Sequence, residues 1–308
     1  MRELIAVGQP IGVKLFSDGV LVIGFSDGDT AAKACGLKEG DIITALGGES
    51  LDTIEELRAC LNANGGSGAE LTVKRGSRTL TLEASPRRDE SGEYRLGAWV
   101  RDSMAGIGTM TFYDPQSGTF GALGHGVTDV DTGKLLPLDH GSIMNASVKA
   151  VKKGEHGAPG ELKGDFDFAR DSGTLYANTE SGIFGKLSAQ DAAALGGKAY
   201  SIAARDEVKT GSATILATVN GNETKEYAIE IEKVYPASGA SRNLLLRVTD
   251  EALLEKTGGV VQGMSGSAIL QNGKLIGAVT HVLLDDSSRG YGIFIENMLD
   301  AAGLSYEA

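Results

Sequence analysis

Two glycine-rich segments of this chain carry side chains that could perform nucleophilic chemistry. Residues 258–267 read Gly-Gly-Val-Val-Gln-Gly-Met-Ser-Gly-Ser and contain Ser265, and residues 121–126 read Gly-Ala-Leu-Gly-His-Gly and contain His125. A serine hydroxyl is a weak nucleophile without an adjacent base, and glycine permits the sharp turn that exposes the hydroxyl. The two segments therefore predict an acyl-transfer site in which His125 removes the proton of Ser265. A plain Gly/Ser turn between strands is the alternative for the serine segment on its own.

Backbone donors next to the serine would complete such a site. Acyl transfer develops negative charge on the carbonyl oxygen, and N–H groups aimed at that oxygen stabilise it. The turn around the serine makes the N–H groups of Gly263 and Ser265 the candidates for this oxyanion hole. The histidine precedes the serine in the chain, which is the order found in chymotrypsin-like hydrolases.

The sequence offers two roles for the aspartate that could orient the histidine. Asp250 lies between His125 and the serine, but it also precedes a helix-like segment, residues 251–256, which it could cap. Asp129 and Asp131 lie closer to the histidine, in a context that predicts a loop. Orienting the base and capping the helix therefore both stay open for Asp250 on the residues alone.

Composition excludes several classes of function. The formal net charge of −12, without a basic stripe, argues against a nucleic-acid partner. The four histidines show no metal-ligand spacing and neither cysteine lies near them, so we expect no metal and no cofactor. No apolar run reaches the roughly 18 residues of a membrane helix, and the first residues do not form a signal peptide. A segment that exports or anchors the protein would therefore lie outside this chain.

Length and turn signals predict two domains. A chain of 308 residues is long enough for about two cores, and 44 glycines against 6 prolines favour many short strands. A charged, turn-rich stretch marks the boundary, which gives a first domain at 1–86, a linker at 87–94 and a second domain at 95–308. Short strand-like runs dominate the second domain, which indicates a mainly β fold, an antiparallel double barrel or a sandwich.

The first domain resembles the PDZ domains attached to bacterial proteases. The resemblance rests on Ala-Lys-Ala-Cys-Gly-Leu-Lys-Glu-Gly-Asp-Ile-Ile at residues 32–43. In such domains an extended peptide adds a strand beside the first β-strand, opposite a helix. The predicted strand 11–15 and the predicted helix 54–61 would flank this groove. The groove residues expected on this basis are Ile11, Gly12, Val13, Ile54 and Leu57. A PDZ fold that acts only as a spacer is the alternative.

Longer motifs resemble the stage IV sporulation protein B peptidase family. They read Gly-Ile-Gly-Thr-Met-Thr-Phe-Tyr at 106–113, Gly-Ala-Leu-Gly-His at 121–125, Thr-Gly-Gly-Val-Val-Gln-Gly-Met-Ser-Gly-Ser at 257–267 and Gly-Ala-Val-Thr-His-Val at 277–282. The match covers nearly the whole chain. The resemblance implies a PDZ domain followed by a chymotrypsin-like antiparallel double β-barrel with serine endopeptidase activity. It places the family's catalytic residues on His125, Asp250 and Ser265.

The same resemblance implies a biological role. Members of the family cleave themselves near the N-terminus and cut a membrane-associated regulator that restrains an intramembrane metalloprotease, which releases processing of a sigma-factor precursor. They act between the mother-cell and forespore membranes, where a membrane segment absent from this chain would hold them. The expected partners are therefore this protein substrate, the protein's own N-terminal segment and a peptide bound by the PDZ domain.

One further residue and two further functions stay open. In chymotrypsin-like folds the strand after the nucleophile lines the first substrate pocket, and His281 is the one polar ring in residues 277–284. We expect His281 to border the pocket or the base, with a hydrogen-bonded core histidine as the alternative. The chain could also be a catalytically idle peptide-binding scaffold or a serine esterase.

Overall fold

Residues 2–236 and 242–305 are described by the computed structural model, in which the chain divides into two units. The larger unit contains residues 1–14, 105–127 and 141–308, and the smaller unit contains residues 15–104 and 128–140. The described strands are, in chain order, β1 Glu3–Ala6, β2 Pro10–Phe25, β3 Ile42–Leu46, β4 Glu49–Ser50, β5 Ala69–Arg75, β6 Arg78–Ala84, β7 Arg87–Arg88, β8 Tyr94–Arg95, β9 Ala98–Asp114, β10 Thr119–Ala122, β11 His140–Lys152, β12 Glu161–Phe166, β13 Gly173–Thr179, β14 Gly182–Leu187, β15 Ala199–Ser201, β16 Gly211–Thr218, β17 Thr224–Val234, β18 Leu244–Val248, β19 Ala268–Gln271, β20 Lys274–Leu283 and β21 Asp286–Phe294. The described helices are α1 Ala31–Ala34, α2 Ile54–Ala63, α3 Ala189–Ala194, α4 Glu251–Thr257 and α5 Ile295–Ala301.

Six antiparallel strands of the larger unit close into a barrel in the order β16-β17-β18-β21-β20-β19. Alternate residues of β16, namely Ala213, Ile215 and Ala217, are buried in its core, as the two-residue period of a strand requires. Val261 and Met264, from the segment between α4 and β19, pack into the same core. The glycine-rich serine segment is therefore fixed to the barrel on both sides of the serine.

A second antiparallel sheet of the larger unit carries the histidine. Its strands follow the order β15-β1-β9-β10-β14-β13-β11, and β12 pairs with β11. Gly121 of β10 pairs with Phe112 of β9 and with Phe184 of β14, and both phenylalanines are fully buried. Strand β10 ends at Ala122, three residues before His125. The prediction of a mainly β chain is confirmed.

The smaller unit combines the two-stranded β7–β8 sheet, two helices and a main sheet. Its strands follow the order β2-β3-β5-β6, and β4 pairs with β3. Helix α2 begins with a capping box in which the Thr53 side chain accepts from the Glu56 N–H and the Glu56 side chain accepts from the Thr53 N–H. The helix buries Leu57 and Leu61 in the core of this unit, which leaves its neighbouring face available to line a groove.

The boundaries of the units differ from the predicted domains. Residues 1–14 belong to the larger unit, because β1 pairs with β9 at Ile5 and Ala6 and with β15 at Glu3, Leu4 and Ile5. The predicted linker 87–94 contains β7 and the start of the β7–β8 hairpin, and the smaller unit continues to residue 104. A strand pattern gives no information about its distant partner, so the sequence alone could not show that residues 1–14 pair with the larger unit.

A buried ion pair holds the N-terminal strand in the larger unit. Arg2 Nη2 lies 2.6 Å from Asp114 Oδ2, and the two side chains are 7% and 0% exposed. Burial raises the pKa of Asp114, but hydrogen bonds from Ser117 and Arg2 outweigh burial, so the pKa lies below its ordinary value. The pair therefore stabilises the fold above the ordinary aspartate pKa, and this stabilisation is lost as the pH falls through the depressed pKa.

We expect Asp114→Asn to lower the free energy of unfolding at neutral pH by about 3–5 kcal/mol, because it leaves the Arg2 guanidinium buried without its counter-charge. Urea unfolding at neutral pH measures the loss. Asp29→Asn is the matched control, because Asp29 pairs with Arg87 at the surface, where the side chains are 76% and 58% exposed and a pair contributes about 1 kcal/mol or less. Equal losses in the two variants would contradict a structural role for the buried pair.

Candidate active site

Positive backbone angles form the turn that presents Ser265. Gly263 and Gly266, on either side of the serine, have φ angles of 94° and 100°, a region that disfavours side chains. A Cβ atom at Gly266 would overlap the carbonyl oxygen of Thr109 and approach the amide nitrogen of Leu123 to 2.6 Å. Glycine at position 266 is therefore required both by the turn and by the strand that packs against it.

Thr109 of β9 donates hydrogen bonds to two carbonyl groups of this turn. Its backbone N–H donates to the Ser265 carbonyl oxygen at 3.0 Å, and its hydroxyl donates to the Gly263 carbonyl oxygen at 2.7 Å. Sequence reasoning missed Thr109, because its role depends on the fold bringing residues 154 positions apart into contact. The anchored carbonyls fix the orientation of the peptide groups around the serine.

The same turn leaves two N–H groups unpaired. Their neighbours all donate to backbone carbonyls, namely the N–H groups of Gln262, Met264, Gly266 and Ser267. Within residues 2–236 and 242–305, the N–H groups of Gly263 and Ser265 have no acceptor. Two unpaired donors beside the nucleophile candidate are what an oxyanion hole requires, and they are the two N–H groups that the sequence predicts.

A left-handed turn after β10 presents His125. Leu123 and Gly124 have φ angles of 68° and 69°. This conformation is unfavourable for leucine, and such strain concentrates at functional sites. A Cβ atom at Gly124 would lie 3.0 Å from side-chain atoms of Thr280 and Ile293, so the turn sits tightly against β20 and β21. This packing fixes the position of the turn that connects β10 to His125.

His125, Ser265 and His281 line one cleft of about 560 Å³ in the larger unit. The other residues that line it are Pro159, Arg242, Val260, Val261, Gln262, Thr280, Val282, Leu283, Leu284 and Tyr291. Most of these side chains are apolar, and Arg242 is the one permanent charge among them. The structure thus brings the predicted base, the predicted nucleophile and the predicted pocket residue together.

The hydrogen bonds of the two reactive side chains show a resting arrangement. Ser265 Oγ donates to the Thr280 carbonyl oxygen at 2.6 Å, and His125 Nδ1 lies 2.9 Å from the Gly126 carbonyl oxygen. Because a carbonyl only accepts, Nδ1 carries the proton and Nε2 of the neutral ring keeps a lone pair. No hydrogen bond joins Ser265 to His125 in the described structure, and such bonds often tighten only when substrate binds.

Burial keeps both histidines of the cleft neutral. It lowers the pKa of His125 below the ordinary value, although the hydrogen bond to Gly126 acts in the opposite direction. Burial, His125 and Arg242 together lower the pKa of His281 to about 4. A neutral imidazole is the form that can accept a proton from serine. The electrostatics of the cleft therefore suit His125 to the role of general base.

Asp250 is the predicted site residue that the structure does not bring to the others. Its carboxylate accepts from the Leu253 N–H at 3.0 Å and from the Ala228 N–H at 3.4 Å, as the N-cap of α4. It does not line the cleft, and within the described part of the chain it has no hydrogen bond to His125. The capping role that the sequence left open is the one this geometry supports, and the orienting role stays a prediction.

Asp250→Asn separates these two roles. Asparagine caps helices about as well as aspartate, so the free energy of unfolding should stay within about 0.5 kcal/mol of wild type. On this geometry we expect kcat for peptide cleavage to change by less than about tenfold, whereas an orienting carboxylate predicts a loss of roughly 10⁴-fold. Kinetics and urea unfolding of the same preparation measure both. A 10⁴-fold loss at unchanged stability would restore Asp250 to the catalytic residues.

Three other polar residues near these segments, Asp129, Asp131 and Ser267, do not line the cleft. Asp129 and Asp131 form ion pairs with Arg101 in the smaller unit. Ser267 is fully buried, and its hydroxyl has no hydrogen-bond partner among the described residues. An inaccessible hydroxyl cannot attack a substrate, so Ser265 is the nucleophile candidate of the serine segment.

The predicted PDZ groove is partly wrong. Ile11, Gly12 and Val13 belong to the larger unit and are buried, and a Cβ atom at Gly12 would lie 2.6 Å from side-chain atoms of Met144 and Phe166. No peptide can add there. The error arose because the strand pattern at 11–15 fits either unit.

Ile54 and Leu57 do line a groove, but with a different opposite wall. It is a cavity of about 170 Å³ in the smaller unit, whose other lining residues are Ser26, Arg58, Leu61, Arg95, Leu96, Gly97, Ala98 and Val100. Gly97 has a φ angle of 75°, and in the described structure the N–H groups of Leu96 and Gly97 have no acceptor. The sequence signal that could have identified this side of the groove is the pair Leu96-Gly97, directly before β9.

The described residues contain neither a metal-binding cluster nor a membrane-spanning helix. No group of three or more histidine, cysteine, aspartate or glutamate side chains is placed to hold a metal ion. None of the described helices combines the length and the apolar character needed to cross a membrane.

A partly buried serine in a glycine turn, two unpaired N–H groups and a neutral histidine in one cleft are the elements of a serine peptidase site. Two family models match the chain. One is described as SpoIVB peptidase S55 and matches residues 92–299, and the other is a PDZ domain and matches residues 27–75. The chain therefore belongs to the SpoIVB peptidase S55 family, and the predicted PDZ and peptidase parts are confirmed.

Individual relatives are more distant. A Clostridium perfringens protein named "Putative zinc metalloprotease CPE1693" is 32% identical over 69 residues, which is 22% of this chain and 21% of that protein. The active form of the Rv3671c protease from M. tuberculosis is 16% identical with a TM-score of 0.36, over 66% of this chain and 76% of that one. The PDZ domain of the SdrC-like protein from Listeria monocytogenes is 22% identical with a TM-score of 0.25. The match covers 27% of this chain and 87% of that domain. Similarities of this size give no information about activity.

Proposed function

We propose that this protein is a serine endopeptidase in which Ser265 is the nucleophile and His125 the general base. The observation that carries the proposal is the placement of both side chains on one cleft, beside two N–H groups that have no other acceptor. Family membership supports the same conclusion. The apolar lining of the cleft suits an extended peptide whose side chains are partly buried on binding.

The chemistry begins with a change of hydrogen-bond partner. Substrate binding turns the Ser265 hydroxyl from the Thr280 carbonyl to His125 Nε2, which takes the proton as Oγ attacks the scissile carbonyl carbon. The carbonyl oxygen becomes an oxyanion and accepts from the Gly263 and Ser265 N–H groups. The His125 imidazolium then gives its proton to the leaving amine. Water, activated by His125, releases the acyl group from the serine and restores the resting site.

Activity should depend on pH through His125. The base works only when neutral, so kcat/KM falls as the pH drops through its pKa. Because burial lowers that pKa, activity should persist below the pH range in which an ordinary histidine becomes protonated.

Two alternatives are tested by chemical labelling. The hydrogen bond from Ser265 to Thr280 is compatible with an idle scaffold whose serine never meets its base, and an esterase would use the same nucleophile. A fluorophosphonate should label Ser265 in the wild-type protein and leave Ser265→Ala unlabelled. Labelled protein that cleaves esters but no peptide of a diverse panel would favour the esterase. Absence of labelling would favour the scaffold.

Family membership supports a more specific role in sporulation. The substrates would be the protein's own N-terminal segment and a membrane-associated regulator of an intramembrane protease, in the extracytoplasmic space between the mother cell and the forespore. Incubation of the purified protein alone, with Ser265→Ala as the control, tests self-cleavage. A truncation that appears in both proteins would come from a contaminating protease and would count against this role.

The PDZ part is proposed to hold the C-terminus of a peptide. The unpaired N–H groups of Leu96 and Gly97 can donate hydrogen bonds to a terminal carboxylate, and Arg58 adds positive charge along the same groove. Ile54 and Leu57 would then contact an apolar last side chain. These features favour a ligand with a free, apolar C-terminus.

Fluorescence anisotropy of a peptide that ends in valine tests this docking site. The Ser265→Ala protein, which should not cut the probe, ought to bind the free carboxylate form at least about tenfold more tightly than the C-terminal amide. Ile54→Lys, a substitution at a partly exposed position of the groove, should weaken binding of both forms. Equal affinity for acid and amide would contradict carboxylate capture.

A further inference from the structure

We propose that His281 is a positioning residue for His125: its neutral ring packs on the base, fixes the plane of the imidazole and shields that ring from water. This inference rests on the proposed serine peptidase function. It goes further by assigning to a second histidine part of the task that an aspartate performs in a Ser-His-Asp site.

The contact between the two rings carries the proposal. Their centroids lie 4.9 Å apart with an interplanar angle of 36°, a geometry of attractive aromatic packing. His281 lies on β20, directly after Thr280, whose carbonyl holds the resting Ser265 hydroxyl. One strand segment thus contacts both members of the reactive pair. Strand pairing with Tyr291 of β21 fixes the backbone of His281 in the barrel.

His281 has the chemical character that this role requires. When His125 accepts a proton, a protonated ring beside it would repel the resulting cation, whereas a neutral ring can stay packed against it. The charged and titratable groups around His281 are His125, Arg242 and Tyr291, and the Arg242 guanidinium lies 5.2 Å from the Tyr291 ring. Burial lowers the pKa of His281 to about 4, and His125 and Arg242 act in the same direction.

A hydrogen-bonded core histidine does not fit the structure. His281 Nδ1 is buried, and the described residues offer it no hydrogen-bond partner. A residue selected only to fill the core would avoid an unpaired buried nitrogen, since that nitrogen loses its hydration without compensation. The surroundings of Asp250 point the same way, because its carboxylate caps α4 and leaves His125 Nδ1 bonded to the neutral Gly126 carbonyl.

A pair of variants tests the role of the ring. His281→Phe keeps an aromatic face beside His125, and His281→Ala removes it and admits water. We expect the second-order labelling rate with a small fluorophosphonate, which does not fill the substrate pocket, to fall about tenfold in His281→Ala and to stay near wild type in His281→Phe. The acid limb of the pH profile should move to higher pH in His281→Ala alone, because the exposed His125 is easier to protonate.

A second readout does not depend on activity. NMR titration of the His125 ring, assigned by comparison with His125→Gln, should show a higher pKa in His281→Ala than in the wild type or in His281→Phe. This measurement tests the contact even if the protein proves to have no peptidase activity, so the two proposals can fail separately. An unchanged His125 pKa, with altered cleavage preference and normal labelling, would make His281 a pocket wall and overturn the proposal.

Discussion

Ser265→Ala should lower kcat/KM for peptide cleavage by about 10⁴-fold or more, because it removes the atom that forms the acyl bond. His125→Ala should have a similar effect, since the serine at its ordinary pKa is unreactive without a base. The double variant should be little worse than either single variant, because two residues that act in one step do not contribute independently. Steady-state assays with a cleaved peptide and active-site labelling measure these effects.

The chain provides a matched control two residues away. Ser267 has the same side chain in the same glycine-rich segment, but it is 0% exposed and its hydroxyl has no partner among the described residues. Removing an unsatisfied buried hydroxyl costs little, so Ser267→Ala should keep near-normal activity and equal or higher stability. Near-normal proteolysis by Ser265→Ala, together with a loss in Ser267→Ala, would reverse the assignment.

The sequence predicted the parts of the site that depend on local backbone chemistry. Glycines at 263 and 266 mark a turn with positive φ angles, and the turn alone nearly determines which N–H groups stay unpaired. The glycine before His125 marks a second such turn. These signals lie within a few residues of the groups they position, and for that reason they can be read without knowing the fold.

The parts that sequence could not predict depend on distant pairing or on ambiguous chemistry. Asp250 was ambiguous because an acidic residue before a helix is suited both to a cap and to a catalytic contact, and only the fold shows which group it meets. Thr109 lies in the motif at residues 106–113, but nothing in that motif shows that it anchors the nucleophile turn. The first strand fits either unit by pattern, and its pairing with β9 and β15 decides the question.

The contact between the nucleophile turn and β9 leads to the second large prediction. Gly266→Ala should abolish activity and lower the free energy of unfolding by more than about 3 kcal/mol, since the new methyl group overlaps the Thr109 carbonyl in a conformation that already disfavours side chains. Relief requires the turn to move away from Thr109, which also holds the Ser265 and Gly263 carbonyls. The unpaired N–H groups then lose the orientation on which oxyanion stabilisation depends.

Gly273→Ala separates the effect of the contact from the effect of the backbone conformation. Gly273, in the turn between β19 and β20, also has a positive φ angle, 76°, but a Cβ atom there would meet no atom within 4 Å. Its substitution should cost only about 1–2 kcal/mol and leave fluorophosphonate labelling unchanged. Urea unfolding and labelling rates of the two variants measure the difference. If Gly266→Ala labels as fast as Gly273→Ala, the turn is not held against β9, and Thr109 does not position the oxyanion donors.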